Sequence, residues 1–336
     1  MKIIENFQIN NSLKIDSKSK YYIECFSKND LIELHKFVKN KNLSVLVIGE
    51  CTNVILPNFY NGIIVKVCFE DMDFNKDNDT VIVGSSINWH QLVLEAISRN
   101  IYGFENLSSI PGSVGAAPIQ NIGAYGQEVS NLIKSINCYD YINNKFMSLN
   151  NDECKFSYRN SIFKNNNLII YNVIFNTNIY TEFNLEYDSI KKYANLNDIS
   201  LTNISINEVS ELITNIRSIS LPNPEQIPNV GSFFKNAITK KINIKEEDYS
   251  LDELVLWEIN SKEVKVGSAR LIELIKNTGF NVGLIGDLRL NKYFNLRLEP
   301  GLYYTQRDLI YPEATSGLSN DEDYLREVKS TYIHIP

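Results

Sequence analysis

Ile110-Pro-Gly-Ser-Val-Gly-Ala-Ala-Pro-Ile-Gln-Asn-Ile-Gly-Ala-Tyr-Gly126 is the stretch on which the reading of this chain turns. Gly112, Ser113, Gly115, Ala116 and Ala117 remove bulk in close succession, so something large and flat can lie against the backbone. Pro111 and Pro118 stiffen the segment, while Gln120 and Asn121 offer paired donors and acceptors. Apolar residues still run through it, which makes it an ordered loop or a turn-rich wall and not a linker, read either as a ligand wall or as a structural turn cluster, with so many small residues together favouring the first.

Outward from that wall, helix and strand signals alternate. Ser27 with Asp30, followed by Leu31, Ile32, Leu34 and Phe37, predicts a capped amphipathic helix of about ten residues. Leu43–Ile48 is a short apolar run that stops at Gly49, the pattern of a buried strand. Shorter strands are expected at Gly62–Val67 and Thr80–Val83, a helix from Trp89 to Ser98, and a strand over Leu168–Phe175. Ser205-Ile-Asn-Glu208 has the capping-box form, with Val209, Leu212, Ile213, Ile216 and Ile219 behind it at helical spacing. Leu221-Pro222-Asn-Pro224 must end that helix, and a domain boundary is placed there. Further helices are expected over Ser268–Asn277, with Gly279 as its stop, and over Asp321–Lys329. The fold class is mixed α and β.

Composition narrows the function. The 336 residues are enough for two or three domains, and 43% hydrophobic with 22% charged is a globular composition. With 33 Lys plus Arg against 40 Asp plus Glu, the net charge is −7, and no basic run offers a nucleic-acid footprint. No apolar run approaches the ~18–20 residues of a membrane span, and no secretory leader is recognisable. Five cysteines without a close pair and three scattered histidines argue against a disulfide scaffold and against a metal site. A cytoplasmic protein is expected, one that needs an organic cofactor for any redox chemistry.

Three further segments carry chemistry. Gly49-Glu-Cys-Thr-Asn53 follows a buried strand and reads either as a phosphate-cradling turn or as a plain tight turn. In Tyr158-Arg-Asn-Ser-Ile-Phe-Lys164, Arg159 supplies a fork for a carboxylate or a flavin carbonyl, or else a surface salt bridge. In Val230-Gly-Ser-Phe-Phe-Lys-Asn236, Ser232 beside Gly231 is a hydroxyl the backbone can bring close to substrate. Phe233 and Phe234 are expected in the core. No histidine completes a nucleophile triad with Ser232, which leaves it a proton-donating role.

Taken together and in this order, the four segments resemble the UDP-N-acetylenolpyruvoylglucosamine reductases, in their longer, enterobacterial-type branch, from about Ser12 to about Gly283. The resemblance implies an α+β chain: a two-part FAD-binding fold of the vanillyl-alcohol-oxidase type, residues 1–67 and 68–220, and an α+β substrate domain over 221–336 with a divergent tail. It implies a peptidoglycan-precursor enzyme, acting as a monomer, in which NADPH reduces FAD and hydride then passes to the enolpyruvyl group of a UDP-sugar. Gly49, Cys51, Thr52 and Asn53 would hold FAD with Pro111, Gly112, Ser113, Gly115, Ala116, Ala117, Ile119, Gln120, Asn121 and Gly123. Arg159 would polarise the substrate carboxylate and Ser232 would donate the proton. Tyr158, Tyr187, Asn236 and Glu273 would contact the UDP-sugar.

Several positions depart from the family pattern. Cys51 and Thr52 stand where a glycine and a serine are usual, and Ser220 where a basic residue precedes the Leu-Pro-x-Pro turn, with Arg217 one helical turn earlier. The segment after Lys14 is shortened, and Ser268-Ala-Arg270 replaces Ala-Gly-Trp. The family's C-terminal Leu-Glu-Pro-Glu is Leu298-Glu-Pro-Gly301 here, so the glutamate that works beside the arginine is missing; Glu299 and Glu313 are the candidate substitutes. These departures keep two rivals in view: a flavin oxidoreductase with a different substrate, and a non-catalytic protein on the same fold.

Overall fold

The computed structural model describes residues 1–241 and 254–278, together with four strand segments at 286–289, 295–298, 302–309 and 326–333. The calls on Gly279, Glu299, Gly301 and Glu313 lie outside the described residues. Two compact units divide at Phe233/Phe234.

In the first unit, strands β1 (Lys2–Gln8), β2 (Lys18–Cys25), β3 (Val45–Ile48) and β4 (Phe59–Val67) form a sheet of order β1-β2-β4-β3. β2 and β3 both pair parallel to β4, and helix α1 (Lys28–Lys41) makes the crossover. The Ser27 hydroxyl caps α1 by accepting from the Asp30 N–H, as its sequence predicts, and the helix runs 14 residues instead of ten. Leu31, Leu34 and Val38 pack under Ile23, Ile63 and Val65.

A second, antiparallel sheet follows from β5 (Met72–Asn75), β6 (Thr80–Gly84), α2 (Trp89–Ser98), the two-residue pair β7 (Gly123–Ala124) and β8 (Gln127–Glu128), β9 (Ile133–Asp140), β10 (Lys145–Asn150) and β11 (Leu168–Asn176). Its order is β10-β9-β11-β6-β5. One face buries α2 and the inner side of the 110–126 wall around Trp89, Phe104 and Phe175, with the Trp89 indole N–H donating to the Leu107 carbonyl at 2.8 Å. On the other face Tyr139, Ile169 and Tyr171 join the core of α1, so that helix lies between the two sheets.

Helices α3 (Asp188–Leu196) and α4 (Ile206–Ser220) complete the unit. α4 opens on the predicted capping box, Ser205 and Glu208 each bonding the other's backbone N–H, and stops before Pro222.

The second unit holds a three-stranded sheet of order β12 (Ala237–Lys240), β14 (Glu263–Val266), β13 (Leu256–Glu258), then α5 (Ser268–Thr278). Two antiparallel pairs follow, β15 (Gly286–Arg289) with β16 (Asn295–Leu298) and β17 (Leu302–Leu309) with β18 (Arg326–Ile333). β18 corrects the helix expected over Asp321–Lys329: Arg326–Lys329 is strand, because a run rich in β-branched residues (Val328, Thr331, Ile333) finds a full partner in β17, Tyr332 opposite Tyr303. Phe233 and Phe234 are likewise not core. They are 40% and 54% exposed, since the bent backbone after the proline-rich turn gives them no interior face. No helix among the described residues is long and apolar enough to cross a membrane.

Candidate active site

The loop after β3 is built for close approach. A Cβ on Gly49 would meet the Ser113 hydroxyl at 2.8 Å and the Ala116 methyl at 3.2 Å, so the loop lies directly on the wall. Cys51 adopts φ 52°, the left-handed conformation that favours glycine. Its carbonyl accepts from both the N–H and the hydroxyl of Ser12. Among the described residues no acceptor meets the N–H groups of Glu50, Cys51, Thr52 or Asn53. Four successive unsatisfied donors around an αL residue have the form of an anion-binding nest.

Cys51 is 5% exposed, packed with Ile9, Tyr22, Leu56 and Ile64, and burial followed by the Glu50 charge pushes its thiol up to about 11. Cys51→Gly relieves about 1 kcal/mol of backbone strain but gives up a buried side chain worth a similar amount. Its thermal midpoint is expected to stay close to wild type. Cys51→Val, β-branched at a left-handed position, is expected to lose about 1–2 kcal/mol and to retain less cofactor; thermal unfolding with flavin release as the second readout checks both.

The wall combines packing with openness. Gly115 is small because the chain at Ser85 runs against it: an added Cβ would sit 2.5 Å from the Ser85 Cβ. Ser113 and Ala117 are buried, and Trp89 N–H to Gly112 O and Gly115 N–H to Ser85 O pin the wall to the start of α2. Some of the smallness is therefore internal fit. Gly112 turns at φ 120°, Pro111 is exposed, and Gly115, Ala116, Ile119, Gln120 and Gly123 remain partly open. Near the loop lies a cleft of about 580 Å³ lined by Glu50, Glu70, Ser86, Ile87, Asn88 and Gln91. Sequence reasoning missed Ser86, Asn88 and Gln91, although Gly84-Ser-Ser-Ile-Asn88 repeats the strand–glycine–polar signature of the first loop.

Ser109, at φ 57°, enters the wall with its N–H donating to His90 Nδ1 at 3.1 Å, so that nitrogen carries no proton. Burial lowers the His90 pKa below its ordinary 6.5. The unfolded chain then takes up a proton before the folded one does. Stability is complete above about pH 6.5 and falls on acidification below it, by at most about 1.4 kcal/mol per pH unit. Urea midpoints between pH 7 and pH 5 should show a decline that is shallower in His90→Asn.

Arg159 is not a surface salt-bridge residue. At φ 51° it turns its guanidinium onto the wall, Nη1 donating to Asn121 O at 3.1 Å and Nη2 to Gly123 O at 2.5 Å, with the Tyr158 ring 5.4 Å away. No carboxylate pairs with it among the described residues. Asn121, 1% exposed at φ 46°, is locked by its Nδ2 donating to Glu128 and by accepting from the Ser130 N–H. Tyr187 precedes α3 and meets the ring of Tyr125 edge-on at 5.8 Å.

The loop, the wall and Ser232 are tied together. Gln120 donates to Asn53 Oδ1, and Asn53 Nδ2 donates to the carbonyl of Val230, two residues before Ser232. Gly231, at φ 61° with open space around it, lets the chain turn there. An N-terminal strap backs this up: the Ser12 carbonyl accepts from the Asn229 N–H, and Lys14 Nζ donates to Glu225 O. Thr52 joins through a bond to the Pro111 carbonyl. The remaining two predicted residues belong to the second unit, where Asn236 accepts from the Ser268 N–H at the start of α5 and Glu273 pairs with Arg270.

The chain is similar to known proteins along most of its length. The FAD binding domain family matches residues 19–141. The UDP-N-acetylenolpyruvoylglucosamine reductase of Pseudoalteromonas translucida is 34% identical over 262 residues, 74% of this chain and 76% of that protein. That of Flavobacterium johnsoniae is 34% identical over 87% of each. Among solved structures, the UDP-N-acetylenolpyruvylglucosamine reductase of Thermus caldophilus aligns at TM-score 0.50 and 15% identity over 80% of this chain and 90% of that one, a likeness of fold. With a third of its residues shared along most of the length of such relatives, the chain belongs to the UDP-N-acetylenolpyruvoylglucosamine reductase family.

Proposed function

We propose that this flavoprotein oxidoreductase reduces the enolpyruvyl group of UDP-N-acetylglucosamine enolpyruvate to the lactyl ether of UDP-N-acetylmuramate, with NADPH as the source of hydride. The observation that carries the reading is Arg159: a partly buried cation, fixed by two wall carbonyls, with no acid partner among the described residues. Such a group calls for an anion, and the enolpyruvyl carboxylate is one.

FAD fits the residues present. The nest at Glu50–Asn53 supplies N–H donors for its diphosphate, and the wall from Pro111 to Gly123 supplies a face stripped of side chains. When bound, FAD supplies hydride transfer. The protein's part is positional and electrostatic. Arg159 holds the carboxylate and stabilises the negative charge that builds on it as the double bond is reduced. Ser232 gives its hydroxyl proton to the carbon beside that carboxylate and recovers one from solvent. The Tyr158 ring, 5.4 Å from the Arg159 guanidinium, adds a cation–π contact that helps to aim it.

The test is optical. The purified protein should carry a flavin spectrum, bleach with NADPH under anaerobic conditions, and regain colour when the enolpyruvyl sugar nucleotide is added. Bleaching without recovery would instead favour the reading with a different substrate, which the glycine at Gly301 motivates. Failure to take up FAD would favour a non-catalytic scaffold.

A further inference from the structure

Glu128 is a half-buried carboxylate near Arg159 that the proposed chemistry leaves unused. It stands on β8 opposite Gly123 of β7, and next to this pair the Val129 N–H donates to the Ile122 carbonyl at 2.8 Å. A Cβ on Gly123 would meet Arg159 Nη1 at 2.9 Å and Glu128 Cγ at 3.0 Å, so both side chains close on that glycine. No ion pair joins them among the described residues. Glu128 Oε2 accepts instead from Asn121 Nδ2 at 2.7 Å. Asn121 in turn grips Arg159 at two places. Its backbone carbonyl accepts from Nη1, and its side-chain amide also donates to the carbonyl of Ser157 at 3.3 Å. Ser157 and Asn160 exchange backbone hydrogen bonds of 3.0 Å and close the turn that carries Arg159 at φ 51°.

The bond to Glu128 is the shortest that the Asn121 amide makes, and its acceptor is a carboxylate, which makes it roughly twice as strong as a neutral one. Without that acceptor the buried amide group keeps only the long bond to Ser157 as donor. The left-handed backbone of Asn121, which local side-chain bonding supports, then loses its firmest tie. Its carbonyl is one of the two that guide the guanidinium, and the other belongs to Gly123, across the hairpin from Glu128. We propose that Glu128 is a positioning residue: by accepting from Asn121 and pairing with Gly123 it fixes both carbonyls that aim Arg159. The consequence for turnover rests on the reductase reading; the placement of the guanidinium does not.

The test has two readouts on the FAD-loaded protein. In stopped-flow measurements Glu128→Ala should slow reoxidation by the enolpyruvyl sugar nucleotide about ten- to a hundredfold, the effect of a small misplacement, with reduction by NADPH little changed. Glu128→Gln, which keeps an acceptor for Asn121 Nδ2, should recover most of that loss. The second readout needs no substrate. The guanidinium N–H resonances of Arg159, identified by their loss in Arg159→Lys, should be resolved in wild type and Glu128→Gln and averaged by rotation in Glu128→Ala. Retained flavin and a cooperative thermal transition establish that the variants are folded. If Glu128→Ala is not, Glu128→Asp, one methylene short of Asn121, takes its place with the same expectation. Unchanged resonances with an unchanged reoxidation rate overturn the proposal. So does equal slowing of both half-reactions, which would make Glu128 part of the packing of the wall, and so does a Glu128→Gln as impaired as Glu128→Ala. A wild type that the sugar nucleotide does not reoxidise, but whose Arg159 resonances still respond to Glu128→Ala, overturns the reductase reading and upholds the positioning.

Discussion

Arg159→Ala is expected to slow the return of flavin colour with the enolpyruvyl substrate by about 10²–10³-fold, the usual effect of losing one preorganised electrostatic group. The argument is geometric. Two of the five guanidinium donors are spent on Asn121 O and Gly123 O, which aim the group, and the charge is left for the ligand. Arg159→Lys should recover little, since an ammonium cannot bond both carbonyls and a carboxylate in one plane. Reduction by NADPH should be less affected, because hydride transfer into the cofactor does not build charge on a substrate carboxylate. Stopped-flow measurement of the two half-reactions separates these effects. Equal slowing of both would mean that Arg159 shapes the wall instead of the chemistry.

Ser232→Ala is the second large effect: a loss of about 10²–10⁴-fold in reoxidation by substrate, the range for a positioned proton donor, at unchanged flavin content. Ser232 is exposed and its backbone is held from outside, through Asn53 and Val230, so removing one oxygen should leave the fold untouched. Ser232→Cys, which keeps a transferable proton, should fall between the two. A turnover undiminished by Ser232→Ala would assign the proton to another group.

Local signals were legible where one stretch of chain contains its own reason. The Ser205–Glu208 capping box, the Ser27 cap and the stop before Pro222 all stand as the residues predict, since cap and helix lie within a few residues of each other. Strands β1, β9 and β10 were not legible: β1 is held by β2, and β9 by its hairpin neighbour β10 and by β11, so that pairing, not a strong local propensity, makes them strands. The same cause turned Arg326–Lys329 from an expected helix into β18. In the site, residue types and spacing pointed to the wall and the loop. What they did not contain is what each residue is held by: Arg159 by carbonyls, Ser113 and Ala117 by burial. Those are tertiary facts.

The N-terminal strap bears on the order in which the protein is made. Lys14 and Glu225 are 211 residues apart in the chain, and Asn53 and Val230 are 177 apart. During synthesis the first loop leaves the ribosome long before the segment that fastens it, so the four unsatisfied N–H groups wait on the nascent chain until nearly the whole first unit has emerged. Contacts this distant close slowly, because the entropy of the intervening chain must be lost first. Cofactor capture is thereby set late, after both sheets exist, and a chain truncated before Glu225 should form its sheets yet hold flavin poorly.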